Sequence, residues 1–184
     1  MFETQSLKRL RFSTGQVLTA ENLELEQQYF REKLKRHNRT LHGFGIVSGL
    51  KVIVQAGQII VEPGLALDCE GNELVVPGSQ TDAPDTDALR AAFVSLRYVE
   101  METDEIPVVL NEPATTSIEN CTGPSTITES VAIEITPDNC NRSHRHLHAR
   151  WLACGQSHAL TIAKLKHTVR GWRVERGYRP PMIK

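Results

Sequence analysis

The chain has almost no net charge. Its 184 residues carry 21 basic and 22 acidic side chains, so no overall field draws it to nucleic acid. It has no apolar run near the ~20 residues that span a bilayer. Its first stretch, MFETQSLKRLRFSTG, has no apolar signal-peptide core. Synthesis in the cytoplasm without a signal peptide is therefore expected. Cysteine is sparse: Cys69, Cys121, Cys140 and Cys154 stand far apart with no CxxC pair. That excludes the dense disulfide framework of a small secreted scaffold and predicts reduced thiols. The triplets NRT, NCT and NRS then carry no glycan. There is no internal repeat and no low-complexity tract.

What remains is enough chain for one domain with a real core. The neutral total also hides an asymmetry. From Asp82 to Asp138 there are twelve acids and two arginines, a net of −10. From Lys164 to Lys184 there are seven bases and one acid, Glu175, a net of +6. Such a split points to electrostatic contact within the fold or between subunits.

Residues 1–18 read as an extended arm. Thr19 is a good N-cap, and the run from Ala20 to Leu41 has no Gly or Pro. Glu21, Glu24 and Glu26 come early; Arg31, Lys33, Lys35, Arg36 and Arg39 come late, as the helix dipole favours. A helix over 20–41 follows. Its seam is Leu23, Gln27, Phe30, Leu34, His37 and Leu41, spaced 4-3-4-3-4 and widened by Leu18, Leu25 and Tyr29. With two polar members the seam is better read as a helix laid on a sheet than as a coiled coil, with oligomer contact as the other use.

After Gly45 the period changes to two. Strands are predicted over 46–54, 58–62, 65–68, 73–76, 92–101, 126–135, 160–169 and 171–178. The first four read as an antiparallel meander with Gly, Pro and Asn turns. Residues 78–90 read as a polar loop, 103–125 as an irregular acidic excursion, and 177–184 as a C-terminal tail. The predicted fold class is α+β: one long N-terminal helix packed on a small antiparallel β-sandwich or barrel-like sheet. The single domain should run over 19–176.

Three stretches could hold chemistry. In HNRTLHGFGIVSG, His37 and His42 are five residues apart, whereas a helical metal pair needs four to share a face. No nucleophile elbow is present. Asn38 and His42 suit the last carbonyls of a helix, and Gly43, Gly45 and Gly49 suit a sharp exit. These six residues are read as a structural joint from helix to first strand. The second stretch holds Cys140, His144, His146, His148, Cys154 and His158. Thiolate and imidazole together suit zinc, and four of the six would suffice, but the spacing fits no standard finger. The third, Asp68-Cys69-Glu70-Gly71-Asn72, lacks the calcium-loop pattern and reads as a hairpin turn.

The string RFSTGQVLTAENLELEQQYFREKLKRHNRTLHGFGIVSGLKV then supplies a resemblance. It resembles a family of small proteins encoded beside the baseplate, sheath and tube genes of phage-tail-like contractile injection systems. The likeness lies at Arg11, Phe12, Gly15, Leu18, Tyr29, His37, Asn38, Arg39, Leu41, His42, Gly43, Gly45, Gly49 and Leu50. It continues through PGLALDCEGNELVVP at 63–77, RYVE at 97–100 and TESVAIEI at 128–135. The resemblance implies a non-enzymatic structural or accessory subunit, at the baseplate end of an injection particle that acts inside the cell or is released from it. It implies partners among baseplate, sheath or tube proteins. It carries over no catalytic residue and no cofactor. The rival readings are a zinc-stabilised interaction module, a small hydrolase using His37 or His42, and a carbohydrate- or ligand-binding β domain. A homo-oligomer is compatible with the subunit reading.

Overall fold

The computed structural model describes residues 6–82, 90–107, 122–141 and 159–183. Among these residues the fold is β-rich with one helix and antiparallel sheets, including a curled half-barrel.

The helix, α1, spans Ala20–His37. Thr19 begins it with a capping box: its hydroxyl accepts the Asn22 N–H and its own N–H donates to Asn22 Oδ1, both at 3.4 Å. The expected helix over 20–41 changes pitch before its end. Residues Asn38–His42 form a π-helical turn, and the Gly43 N–H closes it on the Asn38 carbonyl at 3.0 Å. Gly43 then leaves the helix at φ 79°.

Ten strands follow. They are β1 Gly45–Gly49, β2 Val52–Gln55, β3 Gln58–Val61, β4 Gly64–Leu67, β5 Glu73–Val76, β6 Gln80–Asp82, β7 Ala91–Pro107, β8 Thr122–Thr136, β9 Leu160–Thr168 and β10 Gly171–Val174. The strand predicted over 46–54 is two strands, because Gly49 and Leu50 both take positive φ, 66° and 57°. A Cβ on Gly49 would collide with the Pro63 carbonyl. The kink sends β1 and β2 into different sheets, so the expected meander does not form. One sheet has the order β1-β4-β5 and another β2-β3-β6. Strand β6 falls inside the stretch predicted as a polar loop.

The third sheet has the order β10-β9-β7-β8. Strands β7 and β8 pair from Phe93↔Thr136 out to Pro107↔Thr122. Strand β9 covers β7 only over Ala91–Leu96. The rest of β7–β8 is a two-stranded ribbon leaving the sheet. The core lies between the sheets, with Ile59, Val61, Leu74, Leu96, Leu160 and Leu165 all within 1% of full burial.

The helix is not laid on this core by its seam. No side chain of α1 is buried. Leu23, Phe30, Leu34 and Leu41 are 51%, 59%, 52% and 63% exposed, and Gln27 and His37 are exposed too. The half-buried positions lie on another face, at Asn22, Leu25, Glu26, Tyr29, Glu32 and Lys35. Residues 181–183 of the C-terminal tail dock on their own chain, alongside β1. The Ile46 N–H donates to Pro181 and the Ile183 N–H to Ile46, both at 2.9 Å.

Candidate interaction surface

The six joint residues sit where the helix meets the sheets. Asn38 is buried, and its Nδ2 donates to the Gly71 carbonyl at 3.0 Å. Arg39 donates to the Glu70 carbonyl at 2.7 Å. Gly71, at φ 88°, lies so close to the Lys35 carbonyl that a Cβ there would collide with it. The turn that receives the helix is held by Asp68. One of its carboxylate oxygens accepts the Glu70 and Asn72 N–H groups at 2.8 and 2.9 Å, and the other accepts Asn72 Nδ2 at 2.7 Å. Gly45 packs on the tail: a Cβ there would stand 2.7 Å from the Pro181 oxygen. Gly49 makes the β1–β2 kink. His37 and His42 are exposed, their rings edge to face at 5.4 Å. A cavity of about 100 Å³ beside the joint is lined by Leu34, Asn38, Asn72 and Tyr98 among others, and neither histidine lines it.

Of the cysteine and histidine set, only Cys140 falls within the described residues. His144, His146, His148, Cys154 and His158 lie outside them. Cys140 is half-buried, its Sγ 3.9 Å from Ser95 Oγ and its N–H donating to Thr161 Oγ1 at 3.1 Å. It belongs to a polar knot that sequence reasoning missed. Ser95 and Thr161, both fully buried, share a hydrogen bond of 2.9 Å. Asn141 accepts the Thr161 N–H at 2.9 Å and donates to the Thr161 carbonyl at 2.7 Å and to Tyr178 Oη at 3.1 Å. Burial raises the Tyr178 pKa above its ordinary value. The knot ties the end of β8 to β9 and to the start of the tail. Its only sequence signal is a hydroxyl residue at a core position of each strand. Among the described residues no cluster of three or more His, Cys, Asp or Glu could hold a metal.

Two surfaces stand out for contact rather than chemistry. Large apolar side chains are exposed all along the arm and helix: Phe12, Val17, Leu18, Leu23, Phe30, Leu34 and Leu41. A run of that kind marks an interaction surface. The second surface is the β7–β8 ribbon. It carries Glu100, Glu102, Asp104, Glu105 and Glu129, and no basic residue occurs from Tyr98 to Asn141. At its base Arg31 of the helix meets Glu100 at 2.6 Å, and the Tyr98 hydroxyl donates to the same carboxylate oxygen at 2.8 Å. Burial, then that hydrogen bond, raises the Tyr98 pKa well above its usual value.

No family model and no curated protein matches the chain. Solved structures do. The fold is similar to TssK in its crystal structure over 96% of this chain and 42% of that one, at 13% identity and a TM-score of 0.56. It is similar to a chain of the type VI secretion system baseplate complex, with 96% and 60% covered, 11% identity and a TM-score of 0.55. A chain of the TssK–TssF–TssG baseplate subcomplex gives 96% and 62%, 9% and 0.54. The protein thus spans less than two thirds of the length of each of these chains. At such identities the likeness is one of fold.

Proposed function

We propose that the protein is a non-enzymatic structural subunit of a contractile injection apparatus, on its baseplate side. The observation that carries this is the fold: 96% of the chain follows chains of type VI secretion baseplate structures. The exposed apolar arm and helix support it, because they give a small protein an extended contact face. So does the acidic ribbon, which suits a basic neighbouring subunit. Partners are expected among baseplate, sheath or tube proteins. The role needs no cofactor.

The test is affinity capture from the native host, with mass spectrometry and imaging of what is recovered. Baseplate and sheath proteins in a tail-like particle are the expected result. A lone protein, recovered without any particle component, contradicts the proposal.

A further inference from the structure

The sheet built around β7 carries opposite charges at the two ends of that strand. At the first end, Lys166 of β9 lies level with Ala91, where β7 begins. Arg173 of β10 stands directly across from Lys166, and Arg170 sits in the turn that joins β9 to β10. All three are exposed. Glu175 is the single acid from Lys164 to Lys184, and Lys164 holds it at 2.8 Å. At the far end β7 and β8 run out as the ribbon, where Glu102, Asp104 and Glu105 are exposed. Among the described residues none of these three has an ion pair.

Each end is unfavourable by itself. Like charges directly opposite one another on neighbouring strands repel, and Lys166 and Arg173 are such a pair. Glu100 and Glu129 are another, at the base of the ribbon. Arg31 answers Glu100 there, but among the described residues no ion pair answers Glu129. The two ends do not relieve each other within one chain. The strand from Ala91 to Asp104 covers about 40 Å at ~3.3 Å per residue. No ion pair among the described residues joins one end to the other.

Keeping open strand edges soluble does not require this arrangement. Charges of either sign blunt an edge, and mixed signs would do so without like-charge pairs. Segregated signs make one end of the molecule complementary to the other end of an identical molecule. Both ends also offer apolar contact: Met101, Ile106 and Ile127 are exposed on the ribbon and Val169 at the basic turn. Strand β9 pairs with β7 only as far as Leu96, which carries the ribbon clear of its own sheet and toward a neighbour.

We infer that the basic end of this sheet, Lys166, Arg170 and Arg173, is the docking site for the acidic ribbon of a second copy of this chain, chiefly Glu102, Asp104 and Glu105. The contact joins two different surfaces, so each copy offers a ribbon and receives one. It rests on the charges of this chain and not on the baseplate proposal.

The test uses the full chain in solution. Sedimentation velocity at low ionic strength should show reversible association, weakened at least about tenfold on going from about 50 to about 500 mM salt. Two variants carry the decisive comparison. One reverses the ribbon, Glu102→Lys with Glu105→Lys. The other reverses the basic end, Lys166→Glu with Arg173→Glu. All four side chains are exposed, so far-UV circular dichroism should stay unchanged. Each variant alone sets like charge on like and should lose association by at least about tenfold. Mixed in equal amounts, the two should associate again, because every ribbon then meets an end of opposite sign. A chain that stays monomeric at low ionic strength up to about 1 mM overturns the inference, and that is the result expected if the ribbon serves only a different, basic protein. Association that salt or the reversals leave intact overturns it too. So does a mixture that stays monomeric after each variant alone has lost association.

Discussion

Residues 6–42 and residues 45–183 use similar apolar residues in opposite ways. In the β body Ile59, Leu74, Val94, Leu96 and Leu165 are sealed between sheets. In the arm and helix Phe12, Leu23, Phe30 and Leu34 lie open to water. The body is held by burial. The helix is held to it by polar contacts along its second half: Arg31 on Glu100, Asn38 on Gly71 and Arg39 on Glu70. The contrast teaches that an amphipathic pattern states only that a face will be covered, not by what. Among the described residues the body buries its core without that face.

The contrast breaks most sharply by truncating one leucine in each region. Leu96→Ala empties a fully buried site and should cost about 3–5 kcal/mol in denaturant unfolding. Leu23→Ala, on the open face, should stay within about 0.5 kcal/mol. Equal costs would place the seam in a core after all.

The joint comes next. Gly71→Ala puts a Cβ at φ 88° into the Lys35 carbonyl. A loss of about 2 kcal/mol or more is expected, and its location matters more than its size. Hydrogen exchange should rise across α1 while β7 and β9 keep their protection. Asn38→Ala is milder: it leaves the Gly71 carbonyl without its donor, for about 1–3 kcal/mol, with the same confinement to α1. Exchange rising equally in both regions would mean that helix and body unfold as one unit.

The smallest effect is in pH. The folded protein holds the Tyr98 proton above the ordinary tyrosine value of 10.0. A raised pKa contributes stability that is whole below the unfolded value and is lost as pH climbs toward the folded one. Thermal midpoints should therefore fall as pH rises above about 10, and Tyr98→Phe should make the fall shallower. An unchanged slope would remove Tyr98 from the helix–ribbon contact.

Much of this fold was legible in the residues, and the limits have physical causes. The cap at Thr19 was readable because a hydroxyl before a Gly- and Pro-free run has one favoured use. The β4–β5 and β9–β10 hairpins were readable because their turn residues allow little else. The break after Gly49 was not, since Leu50 takes a positive φ that no local preference announces. Strand β6 was hidden in a polar stretch because it lies at the edge of its sheet, on β3. Ser95 and Thr161 looked like ordinary strand residues; only the tertiary fold brings them together. The seam was seen, but period alone cannot tell a core face from a docking face. Resemblance pointed to an injection particle, and the fold is similar to that of chains in type VI secretion baseplate structures.

The most direct measurement is the native capture, run with the intact chain and with Phe30→Glu, Leu34→Glu. The intact chain should bring down a tail-like particle with baseplate components, and the doubly substituted chain, though folded, should bring down markedly less. Recovery of the intact chain alone, with no particle protein beside it, would contradict a structural role at the baseplate.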